Sequence, residues 1–161
     1  MSLFKKHITQ FSDEELMIKM SSSRRNEALT ELYERYATRI LGYYINMFQG
    51  DIQKAQDFTQ DVFIRISDRH EQFDATKSFY TWLFTIASNY GKSSFRNKVI
   101  QVDFTPKNET QIEQDSIDQQ LFAKELQKAI QSLSTKHREI YILRYIEQLT
   151  VPEISNVVKL P

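Results

Sequence analysis

The sequence predicts an all-α protein that consists of a helical bundle and a second, smaller helical module. Apolar residues recur at intervals of three and four over long stretches, which is the spacing of amphipathic helices. Only 3 Gly and 3 Pro occur in 161 residues, which is too few turn residues for a many-stranded sheet. Hydrophobic residues make up 40% of the chain, enough to form a core.

The first two predicted helices form the amino-terminal part of the bundle. Ser12 and Glu15 have the capping-box pattern that begins a short helix, and the serines at residues 21–23 interrupt it. A long helix is expected from about Asn26 to Phe48. Its apolar stripe comprises Leu29, Leu32, Tyr33, Tyr36, Ile40, Tyr44, Ile45 and Phe48.

Two further helices complete the predicted bundle. Gly50 ends the long helix, and Asp51 can cap the next one. A polar loop follows, and Ser78 can cap a fourth helix that is rich in aromatic residues. We expect these four helices to pack as one module over residues 1–98.

Helical periodicity disappears after the bundle. Residues 99–117 contain a proline and several acids, and we interpret them as a flexible linker. A second module is predicted at residues 118–161. There Ser134 can cap one helix, and Thr150 and Glu153 form a second capping box with a proline in the first turn.

Composition excludes several classes of protein. The absence of Cys excludes disulfides and thiolate metal sites and suits a reducing cytosol, so we expect a cytoplasmic protein. No apolar run has the length of a membrane span, and the amino terminus lacks the apolar core of a signal peptide, so no membrane insertion is expected. The three His lie far apart and there is no Gly-rich phosphate loop, so we expect no enzyme activity, metal or cofactor.

Positive charge is concentrated in one part of a chain whose formal net charge is +0. Residues 75–102 contain no Asp or Glu, while Lys77, Lys92, Arg96 and Lys98 are interleaved with aromatic side chains. Positive charge beside ring faces is what a surface needs to bind phosphates and to stack unpaired bases. The sequence therefore indicates a local nucleic-acid interface on a chain that is not basic as a whole.

Two motifs resemble those of a known family. They are A-x-D-x-x-Q-D-x-F from Ala55 to Phe63 and F-x-x-W-L-x-x-I-A-x-N from Phe79 to Asn89. They resemble region two of bacterial extracytoplasmic-function (ECF) sigma factors, which give RNA polymerase its promoter specificity. The segment that starts at Leu126 looks like the first part of region four of the same proteins. The resemblance therefore implies that the second module is a helix-turn-helix.

The chain departs from the family pattern at its end. In the family, the helix that begins near Glu153 is followed by a turn and by a recognition helix that enters the major groove. Here the sequence stops at the turn, and Lys159 stands where a Gly is frequent. We therefore expect a copy that is truncated within an incomplete helix-turn-helix.

The resemblance implies that the third helix binds RNA polymerase core through Asp57, Phe58, Gln60 and Asp61, and that the partner is the clamp helices of the largest subunit. Asp57 and Asp61 are four residues apart and share a helix face with Gln60. Carboxylates that face Arg or Lys provide register and steering. From the spacing alone, a solvated acidic face is the alternative.

The loop after the third helix is where the resemblance places capture of a promoter base flipped from the non-template strand. Arg65 and Arg69 lead into this loop, and Phe73 lies within it. Hydrogen bonds to base edges and an apolar wall would compensate for unstacking the base. The alternative for Phe73 is a loop anchor that packs into the bundle, and the ring could serve both roles.

The fourth helix carries the remaining predicted DNA contacts. Asn89 matches the family position that recognises duplex bases at the upstream edge of the minus-ten element, and an Asn amide can pair bidentately with adenine. Lys92, Ser93 and Arg96 suit phosphate contacts, which position the protein without specifying sequence. Ordinary surface charge is the alternative for the two cations.

Aromatic residues of the fourth helix divide by helical phase. Leu83 and Ile86 have core spacing, and Tyr80 and Phe84 are out of phase with them. We therefore predict exposed rings at Tyr80 and Phe84, with Tyr80 available to DNA. Trp82 is assigned to the DNA surface as well as to the core, since a large ring can serve both.

The resemblance implies further partners. They are promoter DNA, the flap of the second-largest polymerase subunit near Arg144 and Tyr145, and, as for other members of the family, an anti-sigma factor. The acidic linker resembles the segment that threads toward the polymerase active centre, and a simple tether is its alternative.

The sequence therefore predicts a sigma factor that directs RNA polymerase core to promoters through minus-ten recognition and strand capture. Two other classes remain as alternatives. A stand-alone helix-turn-helix regulator would require a complete recognition helix, and a helical protein-interaction module would have no DNA role.

Overall fold

All regular structure in the described part of the chain is helical. The computed structural model describes residues 7–95 and 117–159. The α-helices in these ranges are α1 (Asp13–Lys19), α2 (Arg25–Met47), α3 (Ile52–Asp68), α4 (Phe79–Phe95), α5 (Ile117–Ser132), α6 (Thr135–Tyr141) and α7 (Val151–Val158). Short 3-10 turns at Ile8–Gln10 and His70–Gln72 and a π-helical segment at Ile142–Ile146 accompany them. The predicted all-α fold class is confirmed.

Helices begin at the residues that were predicted to cap them. In each case a side-chain oxygen accepts a hydrogen bond from a backbone N–H at the start of the helix, where the N–H groups have no carbonyl partner within the helix. The confirmed caps are Ser12, Asp51, Ser78, Ser134 and Thr150. Local sequence alone was sufficient here because a cap and its partner are three residues apart.

The turn between α2 and α3 requires two residues with positive φ. Gln49 has a φ of 56° and Gly50 a φ of 93°. Glycine adopts this conformation without strain because it lacks a Cβ. The N–H of Gly50 donates to the carbonyl of Ile45 over 2.8 Å and closes the end of α2. The turn brings α3 back along α2, so that the two helices pack together.

The core of the first module lies between α1, α2, α3 and α4. Tyr43 and Tyr44 are fully buried at consecutive positions of α2. The hydroxyl of Tyr44 donates to the carbonyl of Ala87 in α4 over 2.8 Å, which satisfies a polar atom inside the bundle. Other fully buried large side chains of this core are Leu16, Met20, Leu32, Ile40, Ile66, Phe79, Leu83 and Phe84.

The second module packs directly on the first. α7 lies against α4, and α6 lies against α2. The guanidinium of Arg138 is buried and donates to the carbonyl of Met47 at the end of α2 over 3.4 Å. It also donates to the carbonyls of Gln131 and Leu133 at the end of α5, over 2.8 and 2.9 Å. Burial lowers the pKa of Arg138, and the helix carbonyls stabilise its charge.

Most of the predicted linker at residues 99–117 lies outside the described residues. α7 ends at Val158, and the next residue, Lys159, has a φ of 51°, the left-handed conformation expected where the family often has Gly. No helix of the described ranges is long and apolar enough to cross a membrane. Within residues 7–95 and 117–159 there is also no cluster of three His, Asp or Glu side chains suited to a metal ion.

Candidate polymerase and nucleic-acid interfaces

The exposed side of α3 carries part of the predicted polymerase-binding set. Asp57 and Gln60 are exposed. Phe58 is half-buried, and its ring lies 4.7 Å from the ring of Tyr90 and 4.8 Å from that of Phe48. Phe58 therefore packs with the bundle, and Asp57 and Gln60 form the accessible part of this face.

An apolar groove runs between α2 and α3 beside Gln60. Its volume is about 400 Å³, and its apolar lining consists of Leu29, Tyr33, Phe63 and Ile64. Tyr33 is 42% exposed and Ile64 is 57% exposed. Helical periodicity placed Tyr33 in the stripe that faces the core, and this ring instead lies at the edge of the groove. An exposed apolar lining with a polar rim is typical of a protein-interaction site.

Asp61 and Arg65 join α3 to α4 through one aromatic ring. The hydroxyl of Tyr90 donates to the carboxylate of Asp61. The guanidinium carbon of Arg65 lies 4.0 Å from the centroid of the Tyr90 ring, a cation–π contact. The bond to Asp61 raises the pKa of Tyr90, which keeps the phenol protonated and able to donate. α3 therefore directs Gln60 and Asp61 to different neighbours, whereas their spacing predicted one shared face.

The loop from Arg69 to Ser78 combines an exposed cation with an inward aromatic ring. Arg69 is exposed, and Phe73 is half-buried. The Phe73 ring lies 5.1 Å from Trp82 and 6.0 Å from Phe79. Its packing agrees with the anchor role, the alternative considered for this residue, and it places the ring beside Trp82, the other aromatic residue predicted near captured DNA.

The carboxyl-terminal half of α4 presents polar side chains to solvent. Asn89 and Ser93 are exposed, and Lys92 is half-buried. The ammonium of Lys92 donates to the amide oxygen of Asn89 over 3.3 Å, so these two predicted DNA contacts lie side by side. Arg96, the last predicted contact, lies outside the described residues.

The predicted exposure of two rings on α4 is not observed. Phe84 is fully buried, so that prediction is wrong. Tyr80 is half-buried, and its hydroxyl donates to a carboxylate oxygen of Glu147 over 2.7 Å. The second module covers this side of α4, and the periodicity of a single helix contains no information about such a neighbour.

Three glutamates of the second module meet hydroxyl groups of the bundle, and we call this set the inter-module seam. Glu139 is buried and accepts hydrogen bonds from Tyr43 over 2.9 Å and from Ser88. The other glutamates are Glu147, which accepts from Tyr80 and lies 3.5 Å from the guanidinium of Arg39, and Glu153, which accepts from Thr81 over 2.9 Å.

The hydroxyl groups of the seam are suited to their role as donors. Burial raises the pKa of Tyr43 and of Tyr80, so both phenols remain protonated at neutral pH. Sequence reasoning missed the seam, because Glu139 and Tyr43 are 96 residues apart. The only local signal was the position of Glu139 next to the apolar run that starts at Ile140.

Comparison with known proteins assigns the chain to a family. The profile of Sigma-70 region 2 matches residues 32–99, and that of Sigma-70, region 4 matches residues 123–160. The chain is 24% identical over 160 residues to the ECF RNA polymerase sigma factor SigW of Bacillus subtilis, with 89% of this chain and 84% of that protein covered. The chain belongs to the ECF sigma factor family.

Other relatives of this sigma factor agree. It is 28% identical over 142 residues to the RNA polymerase sigma factor YlaC of Bacillus subtilis, which covers 83% of this chain and 81% of that protein. It is 27% identical over 168 residues to the RNA polymerase sigma-H factor of Pseudomonas aeruginosa, which covers 96% of this chain and 86% of that protein. As a member of this family, the protein acts in promoter-specific initiation of transcription.

A solved structure has the same fold. It is that of CnrH in complex with the cytosolic domain of CnrY, with a TM-score of 0.67 and 21% sequence identity. The match covers 92% of this sigma factor and 84% of the CnrH chain. The likeness shows a shared overall fold, and the profiles of region 2 and region 4 match successive parts of the chain.

Proposed function

We propose that this sigma factor binds RNA polymerase core through the α2–α3 side of the bundle and minus-ten promoter DNA through the α3–α4 side. The observation that carries this proposal is the division of α3 into two surfaces. Gln60 and Ile64 line the apolar groove with α2. Asp61 and Arg65 contact Tyr90 of α4. One helix can therefore face a protein partner and DNA at the same time.

The polymerase face combines the groove with an acidic edge. Asp57 is exposed at this edge, and the groove walls at Tyr33 and Ile64 are open to solvent. Apolar side chains of the clamp helices would fill the groove, and basic side chains would pair with Asp57 and set the register. Asp61 and Phe58 contribute indirectly, since their contacts with Tyr90 fix α3 against α4.

The DNA face combines strand capture with duplex recognition. The loop at residues 69–78 receives the flipped base, with Arg69 near the backbone and Phe73 and Trp82 as the apolar wall. Asn89 pairs with a base edge of the adjoining duplex. Lys92, Ser93 and Arg96 bind phosphates. The exposure of Asn89 and Ser93 and the absence of acids in residues 75–102 support this assignment.

The docked arrangement of the two modules corresponds to the sigma factor before it joins polymerase. Tyr80 is covered by Glu147 in this arrangement, so the modules must separate before Tyr80 reaches DNA. Exposed Tyr145 and Ile146, 69% and 44% accessible, support docking of the second module on the polymerase flap. The CnrH complex with CnrY supports an anti-sigma factor as an additional partner.

The mechanism involves binding alone, without covalent chemistry and without a cofactor, and it takes place in the cytoplasm, where core polymerase and promoter DNA meet. Polymerase and sigma factor together melt the promoter, and the loop binds the exposed strand. Preferential binding of the melted state shifts the equilibrium toward the open complex.

In vitro transcription with core polymerase on a library of promoter sequences tests this proposal. The full sigma factor is expected to produce transcripts from a subset that shares a minus-ten sequence, and core polymerase alone is the control. A sigma factor that yields no transcript at any promoter would contradict the proposal. Tight binding to duplex DNA without polymerase, measured by gel shift, would instead indicate a stand-alone regulator.

A further inference from the structure

The first turn of α4 is capped by a residue from another helix. The carboxylate of Glu14, in α1, accepts the backbone N–H of Phe79 over 3.1 Å, although the two residues are 65 positions apart. Ser78 provides the local cap by accepting the N–H of Thr81 over 3.3 Å. A carboxylate is stabilised at a helix amino terminus by the unpaired N–H groups and the positive end of the helix dipole.

The contribution of Glu14 resolves a conflict between helix stability and DNA binding. The first turn of α4 contains no acidic residue of its own. The whole stretch at residues 75–102 lacks Asp and Glu. A carboxylate on that stretch would repel DNA phosphates. Glu14 is half-buried and reaches α4 from α1, so α4 gains a negatively charged cap while its own surface carries none.

The loop at residues 69–78 leads from α3 to α4. Its other end, at the last turn of α3, is also held by a side chain from another helix. The guanidinium of Arg25, the first residue of α2, donates to the carbonyl and the hydroxyl of Ser67 over 2.8 and 2.9 Å. The ring of His70 donates to the same carbonyl over 2.7 Å. Donors at this position satisfy carbonyls that have no partner at the end of α3, and the positive charge of Arg25 complements the helix dipole.

Contacts within the loop also hold it between Arg25 at one end and Glu14 at the other. Asp74 accepts from the N–H and the hydroxyl of Thr76 over 3.0 and 2.6 Å, which lowers the pKa of Asp74. The Phe73 ring packs on Phe79, whose N–H is the one that Glu14 accepts. The position of Phe73 therefore depends on how the first turn of α4 is held.

We propose that Glu14 and Arg25 are positioning residues that hold the loop at residues 69–78 in its strand-capturing conformation. This inference rests on the proposed role of that loop in binding melted DNA. Neither side chain is expected to touch DNA. A loop that is ordered before binding loses less conformational entropy when it captures a base, so its anchors contribute to affinity from a distance.

The test uses the full chain with core polymerase and a promoter fragment whose minus-ten segment is pre-melted and labelled with 2-aminopurine. Glu14→Ala and Arg25→Ala are expected to weaken binding of this fragment by about five- to tenfold, the range set by loss of a helix cap. Glu14→Gln should stay within about twofold of the unmodified protein, since an amide oxygen also accepts a hydrogen bond. Affinity for core polymerase should not change in any of these variants.

The control is Glu125→Ala, which removes an exposed glutamate of α5 that pairs with its neighbour Lys128. Unchanged fragment affinity in folded Glu14→Ala and Arg25→Ala proteins would overturn the positioning role. An equal loss in Glu14→Gln and Glu14→Ala would overturn it as well, because the hydrogen-bond acceptor would then be irrelevant.

Two measurements remain decisive if the DNA experiment fails. Where the unmodified protein binds no pre-melted fragment, the strand-capture function is wrong. Trp82, the only Trp of the chain, then reports on the loop through acrylamide quenching. Greater quenching in Glu14→Ala supports positioning of the loop, and unchanged quenching contradicts it. Where Glu14→Ala does not fold, slow hydrogen exchange of the Phe79 amide in the unmodified protein supports the cap and rapid exchange refutes it.

Discussion

The hydroxyl of Tyr43 donates to the carboxylate of Glu139 over 2.9 Å and joins the two modules through a fully buried hydrogen bond. Glu139 also accepts from Ser88, so a carboxylate of α6 is bound by hydroxyl groups of α2 and α4. A buried carboxylate is costly unless its oxygens accept hydrogen bonds. The inter-module seam therefore depends on each of these donors.

Tyr43→Phe removes one donor from the seam without changing the shape of the core. The variant is expected to lower the free energy of unfolding by about 1–3 kcal/mol, because Glu139 remains buried with one hydrogen bond fewer. Urea unfolding followed by circular dichroism measures the difference. Tyr33→Phe, at the exposed edge of the groove, is the matched control and should change stability by less than about 0.5 kcal/mol.

Glu147→Gln weakens the seam at the point where it covers Tyr80. The Glu147 carboxylate accepts a hydrogen bond from the Tyr80 hydroxyl over 2.7 Å and lies 3.5 Å from the Arg39 guanidinium. The substitution removes the negative charge of this carboxylate. We expect a larger population of separated modules in the free sigma factor, seen as a larger radius of gyration in small-angle X-ray scattering, and faster binding of pre-melted promoter DNA by the free sigma factor. Glu125→Gln, on the exposed side of α5, is the control. An unchanged radius together with unchanged binding would show that this contact does not restrict Tyr80.

Sequence patterns predicted features that depend on nearby residues. The caps at Ser12 and Thr150 were correct because a cap and its partner are three residues apart. Phe84 was wrongly predicted to be exposed, and Tyr33 was wrongly assigned to the core stripe. Both errors have one cause, since burial of a helix face depends on which other helix packs there. Periodicity could not show that Phe84 packs between Tyr43 and Tyr80 or that the groove leaves Tyr33 open.

Local sequence likewise identified the site residues that depend on nearby positions and missed those whose partners are distant. Asp57, Gln60 and Asn89 are exposed as their proposed roles require, and the family motifs identified them from local sequence. Glu139 and Glu14 were missed because their partners are 96 and 65 residues away. Glu14 has no local pattern that distinguishes it from an ordinary surface glutamate, and the apolar run that starts at Ile140 is the only local signal at Glu139.

Asn89→Ala and Lys92→Ala separate recognition of bases from recognition of phosphates. Loss of the Asn89 amide should relax promoter preference at one base-pair position, at a cost of about 1–3 kcal/mol of discrimination. Loss of the Lys92 charge should weaken all promoters alike and reduce the slope of log affinity against log salt by about 1. Binding of holoenzyme to single-base promoter variants at several salt concentrations measures both quantities. Identical behaviour of the two variants would contradict the assignment of different roles.

Asp57→Asn and Asp61→Asn distinguish a partner contact from a structural one on α3. Asp57 is exposed, so its variant should slow association with core polymerase and make it less sensitive to salt, with stability unchanged. Asp61 accepts the hydroxyl of Tyr90, so its variant should lose about 1 kcal/mol of stability. Stopped-flow association and urea unfolding check the two outcomes. A slower association for Asp61→Asn alone would place the polymerase contact at Asp61 instead.

At low pH, protonation of Glu153 should weaken the contact of α7 with α4. Hydrogen bonds from Thr150 and Thr81 lower the pKa of Glu153 below its ordinary value. Because the folded-state pKa is lower than the unfolded one, the stabilisation is present at neutral pH and is lost as the pH falls through the lowered value. Glu153→Gln should therefore be less stable than the unmodified protein at pH 7, and the difference should shrink below about pH 4. Thermal unfolding of both proteins between about pH 3 and pH 7 measures this. A difference that is the same at every pH would mean that the charge of Glu153 does not stabilise α7.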